Sequence, residues 1–155
     1  MWSDPEVTRF IGGRPQTREE AWARVLRYAG MWSLVGKGFW VVESKDNGAF
    51  LGEVGVMEAR RDMAPPLGDH PEVGWAFLPS AQGQGFASEA VERAIRWAEQ
   101  AFPASALLCI ISPDNAASLR VAARFGFVEK LRTTYHGEPT IQFERPPGGS
   151  IGRRT

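Results

Sequence analysis

Cysteine and histidine are nearly absent from this chain: Cys109, His70 and His136 are the only ones in 155 residues. A disulfide framework needs pairs of cysteines and a zinc cage needs three or four thiolate or imidazole ligands, so one chain can assemble neither, and no metal is expected. An excess of either charge is also missing, with 18 Lys and Arg against 18 Asp and Glu. Bulk charge therefore gives no pull toward polyanions, which argues against nucleic acid as a partner. No apolar run approaches the ~18 residues of a membrane span, and the start "MWSDPEVTRF" has neither the charged nor the apolar region of a signal peptide. The expectation is a cytoplasmic protein without membrane contact.

What is present fits one ordinary folded unit. The apolar share is 43% and the charged share 23%, and a domain near this size buries roughly 68–70% of its extended-chain surface. A single domain is expected over 1–146, with a mobile tail over 147–155.

Local signals place the elements. "SDPE" offers a helix cap with Pro5 in the first turn, and "TREE" gives a capping box from Thr17 to Glu20. Ala21, Trp22, Val25, Leu26 and Ala29 then recur on one helical face, predicted to be buried, until Gly30 stops the helix. "FWVVES" and "FLGEVGVM" flank "KDNG", whose Asn47-Gly48 pair predicts a two-residue hairpin turn. Arg60 to Pro71 carries three prolines and no periodicity, hence a loop, and "EVGWAFL" follows as a buried strand. Apolar positions from Ala90 to Phe102 repeat at helical spacing, "ALLCII" reads as a core strand, and "NAASLRVAARFG" as a short helix capped by Asp114 or Asn115 with Gly126 just past its end. "FVEKLRTTY" and "PTIQFER" close the chain as strands around "HGEP". The fold class is α/β or α+β, a sheet with helices packed on its faces.

Between the "EVGWAFL" strand and the long helix lies "AQGQGFA". A strand, a glycine turn and a helix start bring unpaired N–H groups and the positive end of a helix dipole to one spot, which suits a phosphate. The glycines permit positive φ and let backbone approach the anion closely. Two nucleotide motifs fit poorly. A Rossmann fingerprint wants a third Gly or Ala where Ser88 stands, and no acid follows the next strand before Asp114; the Gly-Lys-Ser/Thr of a P-loop is absent. A Rossmann protein holding nicotinamide or flavin remains a third reading, and a turn that merely connects strand to helix is the plain alternative.

Taken together, "QGQGFA" and "NAASLRVAARFGF" resemble the GNAT superfamily of acyl-CoA-dependent N-acyltransferases. Gln82, Gly85 and Ala87 meet the family's loop pattern, and Asn115, Ser118 and Gly126-Phe127 sit at the spacing of the branch that includes ribosomal-protein N-terminal acetyltransferases. The resemblance covers about Trp2 to Pro146. It implies a mixed, mostly antiparallel sheet with helices on both faces, splayed open between the strand of Trp75 to Leu78 and that of Leu107 to Ile111, with acetyl-CoA in the gap as co-substrate. Phe77 and Leu78 would offer backbone bonds to pantetheine; Gln82, Gly83, Gln84, Gly85, Phe86 and Ala87 would hold the pyrophosphate; Asn115 and Ser118 would line the far wall. One departure stands out: such proteins open with a strand before the first helix, whereas Met1 leads into "WSDPE". The sheet then lacks its first strand, another chain supplies it, or the true start lies upstream.

The implied function is transfer of an acetyl group from acetyl-CoA to a primary amine by direct attack in a ternary complex; the alternative is a non-catalytic acyl-CoA-binding or regulatory module on the same fold. The acceptor is a small-molecule or peptide amine, and the oligomeric state is open, a homodimer included. An alkyl ammonium has a reference pKa near ~10.4, so a base is needed. Glu72 is the candidate, at the mouth of the cofactor strand, with Glu53 the runner-up and Asp69 and His70 in an unplaced loop. Ser118 is the candidate acid toward the departing thiolate, ahead of Tyr135; as alternatives, Glu72 is a solvated carboxylate and Ser118 a hydroxyl bonded within its own helix. Cys109 reads as buried packing rather than a nucleophile. Trp22 and Trp97 read as core. Trp32, Trp40 and Trp75 read as core or as walls of an acceptor pocket, and Arg120 and Arg124 as a solvated face or as contacts to the 3′-phosphate of CoA.

Overall fold

Asp4 caps a four-residue helix, α1 (Pro5–Thr8), by accepting from the Glu6 N–H. The computed structural model describes residues 1–149. Helix α2 (Arg18–Val35) opens on the expected capping box: the Thr17 hydroxyl accepts from Glu20 N–H at 3.2 Å and the Glu20 carboxylate from Thr17 N–H at 2.8 Å. Arg14 holds the same carboxylate and draws the Glu20 pKa down to about 2.

Two expectations about α2 are corrected. The helix runs through Gly30 and ends at Gly36, whose φ of +64° supplies the left-handed C-cap. An interior glycine costs about 1 kcal/mol relative to alanine, and it does not outweigh the packing of the turn that follows. The face predicted to be buried is also the outer one, with Trp22 61%, Val25 53% and Leu26 54% exposed. The inner face is Arg24, Tyr28 and Trp32, spaced i, i+4, i+8. Apolar periodicity chose the wrong side because the sheet surface beneath α2 carries a carboxylate and glycines, which call for polar and aromatic partners.

Strands β1 (Phe39–Glu43) and β2 (Phe50–Met57) pair antiparallel. Their connection is not the predicted two-residue turn. Ser44 to Ala49 form a longer loop, in which Ser44 N–H donates to Ala49 C=O, Gly48 N–H to Ser44 C=O and Ala49 N–H to the Asn47 side chain. Only Gly48 of the Asn-Gly pair has positive φ. The two-residue turn occurs instead at His136-Gly137, with φ of +51° and +82°, because Tyr135 pairs directly with Glu138.

Strand β3 (Glu72–Phe77) continues the antiparallel run on β2. A 3₁₀ turn (Pro79–Ala81), helix α3 (Phe86–Ala101), strand β4 (Leu107–Ile111) and helix α4 (Ala116–Arg124) follow, and β5 (Val128–Tyr135) with β6 (Glu138–Arg145) form the last hairpin. The six strands lie in the order β1-β2-β3-β4-β6-β5, every neighbouring pair antiparallel except β3 and β4. Among the described residues no strand precedes α2, and β1 is one edge of the sheet.

Alternation along the strands separates two faces. One carries Val54, Val56, Val73, Leu107 and Cys109 and packs on Val91, Ile95 and Ala98 of α3 and Ala122 of α4. Val56, Val91 and Ile95 are fully buried, each contributing about 1.5–3 kcal/mol. Trp97 extends this core to the sheet edge, its ring edge-on to Trp40 at 5.0 Å and Trp32 at 5.8 Å. The other face carries Glu53, Gly55 and Gly74 and lies under α2, where Tyr28 stacks on Phe39 at 4.5 Å. The segment predicted as a mobile tail begins as a turn at Pro146 to Gly149, held by the buried Arg145 guanidinium donating to the Pro146 and Gly149 carbonyls; 150–155 lie outside the described residues.

Candidate active site

The parallel strands β3 and β4 share a single paired position, Glu72 with Leu108, closed by Leu108 N–H donating to Pro71 C=O at 2.9 Å. Beyond it they part. Leu78 N–H donates to Leu51 C=O, which fixes the phase of the β2–β3 ladder: Glu72, Gly74, Ala76 and Leu78 bond toward β2, so the N–H and C=O groups of Trp75 and Phe77 turn toward the gap. The two residues expected to line pantetheine therefore differ. Phe77 presents backbone to the gap, while Leu78 has its N–H on Leu51 and its C=O accepting from Ala81. Trp75 joins Phe77, a placement legible only from the ladder.

The open end of the gap leads to the glycine loop. Gln82 closes the 3₁₀ turn with its N–H on Pro79 C=O, and the Gln84 side chain donates to Ser80 C=O at 2.7 Å. Gly83 (φ +74°) and Gly85 (φ +85°) both take the left-handed conformation, and a Cβ built on either would meet nothing within 4 Å. Gly85 is the N-cap of α3 and brings no side-chain acceptor. The first-turn N–H groups, those of Phe86 and Ala87 among them, therefore have no side-chain cap at the positive end of a 16-residue helix, where an anion is stabilised.

Across the gap Asn115 caps α4, its side-chain oxygen accepting from Ser118 N–H at 3.1 Å. The Ser118 hydroxyl oxygen accepts from the Trp75 indole N–H at 3.2 Å, so β3 and α4 are joined by one side-chain bond. Its own hydrogen remains free to donate. Arg120 is exposed on α4, and Arg124 lies 6.0 Å from the Phe125 ring.

Two buried carboxylates occupy the α2 side of the sheet. Glu72, 3% exposed at the closed end of the gap, accepts from Arg61 Nε at 2.7 Å and Nη2 at 2.6 Å. Burial works against the Arg61 charge, but the Glu72 carboxylate more than offsets it and holds the guanidinium pKa above its usual value. Arg61 also lies 5.0 Å from the Tyr135 ring, so the 58–71 loop meets the last hairpin at Glu72. Two further bonds pin that loop, Thr133 Oγ1 to Ala64 C=O and Gln142 Nε2 to Pro65 C=O. Asp69 and His70 are exposed on it. Arg61 was invisible in the sequence because an aperiodic proline loop gives no sign of where its side chains turn.

Glu53, on β2 opposite Ala76, accepts from the Tyr28 hydroxyl and, at 3.4 Å, from the Trp2 indole. Burial raises its pKa against the pull of these donors and of Arg24 and Arg27. Burial and the Glu53 charge raise that of Tyr28, which stays protonated. Arg24 donates to Tyr28 and Gln16 and lies 3.7 Å over the Trp2 ring. The i, i+4 spacing of Arg24 and Tyr28 was the available signal for this cluster. Cys109 is buried, and burial with the nearby Glu72 charge pushes its thiol pKa well up, consistent with packing. Trp97 is core as expected, whereas Trp22 is not. Among the described residues there is no group of three metal-ligating side chains and no helix long and apolar enough to cross a membrane.

Comparison with known proteins agrees with this fold. The protein YkkB of Bacillus subtilis is 26% identical over 148 residues, 94% of this chain and 81% of its own length. A solved structure from Bordetella pertussis, described as a GNAT-family acetyltransferase, superposes with a TM-score of 0.79 at 29% identity, covering 91% of this chain and 84% of its own. A phosphinothricin acetyltransferase from Sinorhizobium meliloti, solved in complex with acetyl-CoA, shares the fold at a TM-score of 0.67 and 19% identity, over 92% of this chain and 77% of its own. The family model for the acetyltransferase (GNAT) domain matches residues 1–128, and the chain belongs to that family.

Proposed function

We propose that the protein transfers an acetyl group from acetyl-CoA to a primary amine by direct attack in a ternary complex. The observation that carries this is the β3–β4 gap, paired at one position only and opening onto the uncapped start of α3. The pyrophosphate rests on the backbone of Gln82 to Ala87, and pantetheine runs along the Phe77 and Trp75 edge of β3 with Asn115 and Ser118 opposite. The thioester lies toward Glu72.

Glu72 takes the proton of the incoming ammonium, its carboxylate oriented by Arg61. The neutral amine forms the C–N bond at the thioester carbonyl, and backbone N–H groups on the gap side of β3 stabilise the oxyanion. The C–S bond then breaks, and the extra proton on the attacking nitrogen passes through the Ser118 hydroxyl, whose oxygen is already held by Trp75, to the departing thiolate, which leaves the amide, the serine and the thiol all neutral. The acceptor is a small-molecule or peptide amine; the spacing of Asn115, Ser118 and Gly126-Phe127 supports the ribosomal-protein N-terminal acetyltransferase branch.

Calorimetry with acetyl-CoA and thiol release over a panel of amines test the two halves separately. Saturable binding and thiol release are expected. Binding without release on any amine would leave a non-catalytic acyl-CoA module. In Gly85→Glu a side chain at positive φ sets an anion at the pyrophosphate position, and binding should be lost while the fold persists; unchanged affinity would remove the loop from the site.

A further inference from the structure

The outer side of α2 is apolar along its length. Trp22, Val25, Leu26, Ala29 and Ser33 succeed one another there at helical spacing, and all five are exposed. Between Trp22 and Ser33 this face carries no charge, although the solvent side of a helix is ordinarily charged or polar. Leu34, 85% exposed, borders it at the last turn. Single apolar side chains on a surface need no explanation, whereas these are contiguous. Among the described residues no element covers them.

The face is graded in size. Trp22 and Leu26 fill its first half, and Ala29, Gly30 and Ser33 leave the second half low. Nothing within the chain asks for glycine at position 30: a Cβ there would meet nothing within 4 Å, and an interior glycine costs about 1 kcal/mol relative to alanine. A second helix approaching closely supplies the reason. Two copies of the face match when the helices run antiparallel about a two-fold axis, the large half of each lying on the small half of the other. A parallel pair would set Trp22 on Trp22 and leave a void between the small halves.

Charge favours the same arrangement. Arg18 stands in the first turn of α2, where the helix dipole disfavours a cation, and the last turn has no basic residue. Antiparallel pairing brings each Arg18 to the carbonyl end of the other helix, at the exposed Gly36 cap. Trp22, Val25, Leu26 and Leu34 expose roughly 500 Å² in one copy, so two copies bring roughly 1,000 Å², the lower end of specific interfaces.

We propose that the outer face of α2 docks a second copy of this chain, with the two α2 helices packed antiparallel in a weak, reversible dimer. The face is turned away from the sheet and from the β3–β4 gap, so acetyl-CoA binding does not depend on it.

Sedimentation velocity of the full chain between about 1 and about 500 μM reads the association. A monomer–dimer equilibrium is expected. Leu26→Glu sets two carboxylates in the apolar seam and should leave monomer throughout. Arg18→Glu should weaken dimerisation about tenfold, since both ends of the pair lose a favourable charge. Gly30→Leu should act with opposite signs, raising the urea midpoint of the dilute monomer and weakening the dimer. Urea unfolding and acetyl-CoA calorimetry at low concentration, where Trp22 lies in solvent, establish that each variant is folded. Direction is read by oxidising Val25→Cys and Ala29→Cys chains, which should cross-link to each other in a mixture more readily than to themselves. A monomer at every concentration would overturn the proposal. So would a dimer that Leu26→Glu and Arg18→Glu leave intact, because another surface would then be the one that pairs.

Discussion

Glu72 meets Arg61 through both carboxylate oxygens, so its replacement has two consequences that can be separated. Glu72→Gln removes the proposed base and strands a largely buried guanidinium. Turnover should fall about 10²-fold or more, and stability by about 3 kcal/mol. Adding Arg61→Met removes the stranded charge: denaturant midpoints should recover while turnover does not. Full recovery of activity in the double variant would show that Glu72 serves the fold alone. Glu53 makes a pH prediction. Burial lifts its folded pKa above the ordinary 4.5, so the native state keeps its proton longer than the unfolded chain does. Stability associated with this group is present below that value and is lost as pH rises through the folded pKa. Glu53→Gln should flatten that decline, read as Tm against pH; an unchanged slope would mean that Glu53 does not carry it.

At the scale of elements, the floor beneath α2 depends on two glycines set side by side. Gly55 of β2 pairs with Gly74 of β3, and Phe39 lies over both: a Cβ on Gly55 would come within 2.6 Å of the Phe39 ring and 2.7 Å of Gly38 C=O. Tyr28 stacks on the other side of Phe39. Because one of those contacts is backbone, Gly55→Ala cannot be absorbed by a rotamer change. It should cost about 1–3 kcal/mol in urea unfolding. It should also loosen the seat of Tyr28 and Glu53. A variant as stable as the parent would show that the Gly38–Phe39 backbone itself shifts to make room. Other elements were readable locally. The Thr17 capping box, the Asn115 cap and the left-handed Gly85 are all fixed by groups within three residues of one another. Loop lengths were less so, since an Asn-Gly pair permits a two-residue turn and does not impose it.

For the whole molecule, the orientation of α2 decides what the sheet can hold beneath it. Trp22, Val25 and Leu26 look outward, so Trp22→Ala should change stability by less than about 0.5 kcal/mol, where a core tryptophan would cost about 3–5 kcal/mol. Equilibrium denaturation distinguishes the two. With its polar and aromatic side inward, α2 brings Arg24, Tyr28 and Trp32 to three different neighbours: the Trp2 ring, Glu53 and the Trp40–Trp97 cluster. The outward alternative would have buried tryptophan and leucine against a carboxylate.

The order of helices and strands, the glycine loop at the start of α3 and the Asn115–Ser118 turn were determined by the sequence alone, because caps, turns and periodicity act over a few neighbouring residues. Which face of α2 packs, which residues of β3 show their backbone to the gap, and that Arg61 closes on Glu72 were decided only by the tertiary structure. Those depend on strand phase and on partners far along the chain: 11 residues separate Arg61 from Glu72, 25 separate Tyr28 from Glu53 and 43 separate Trp75 from Ser118. No local pattern encodes such contacts, since each forms only after the strands have fixed the direction in which every side chain points.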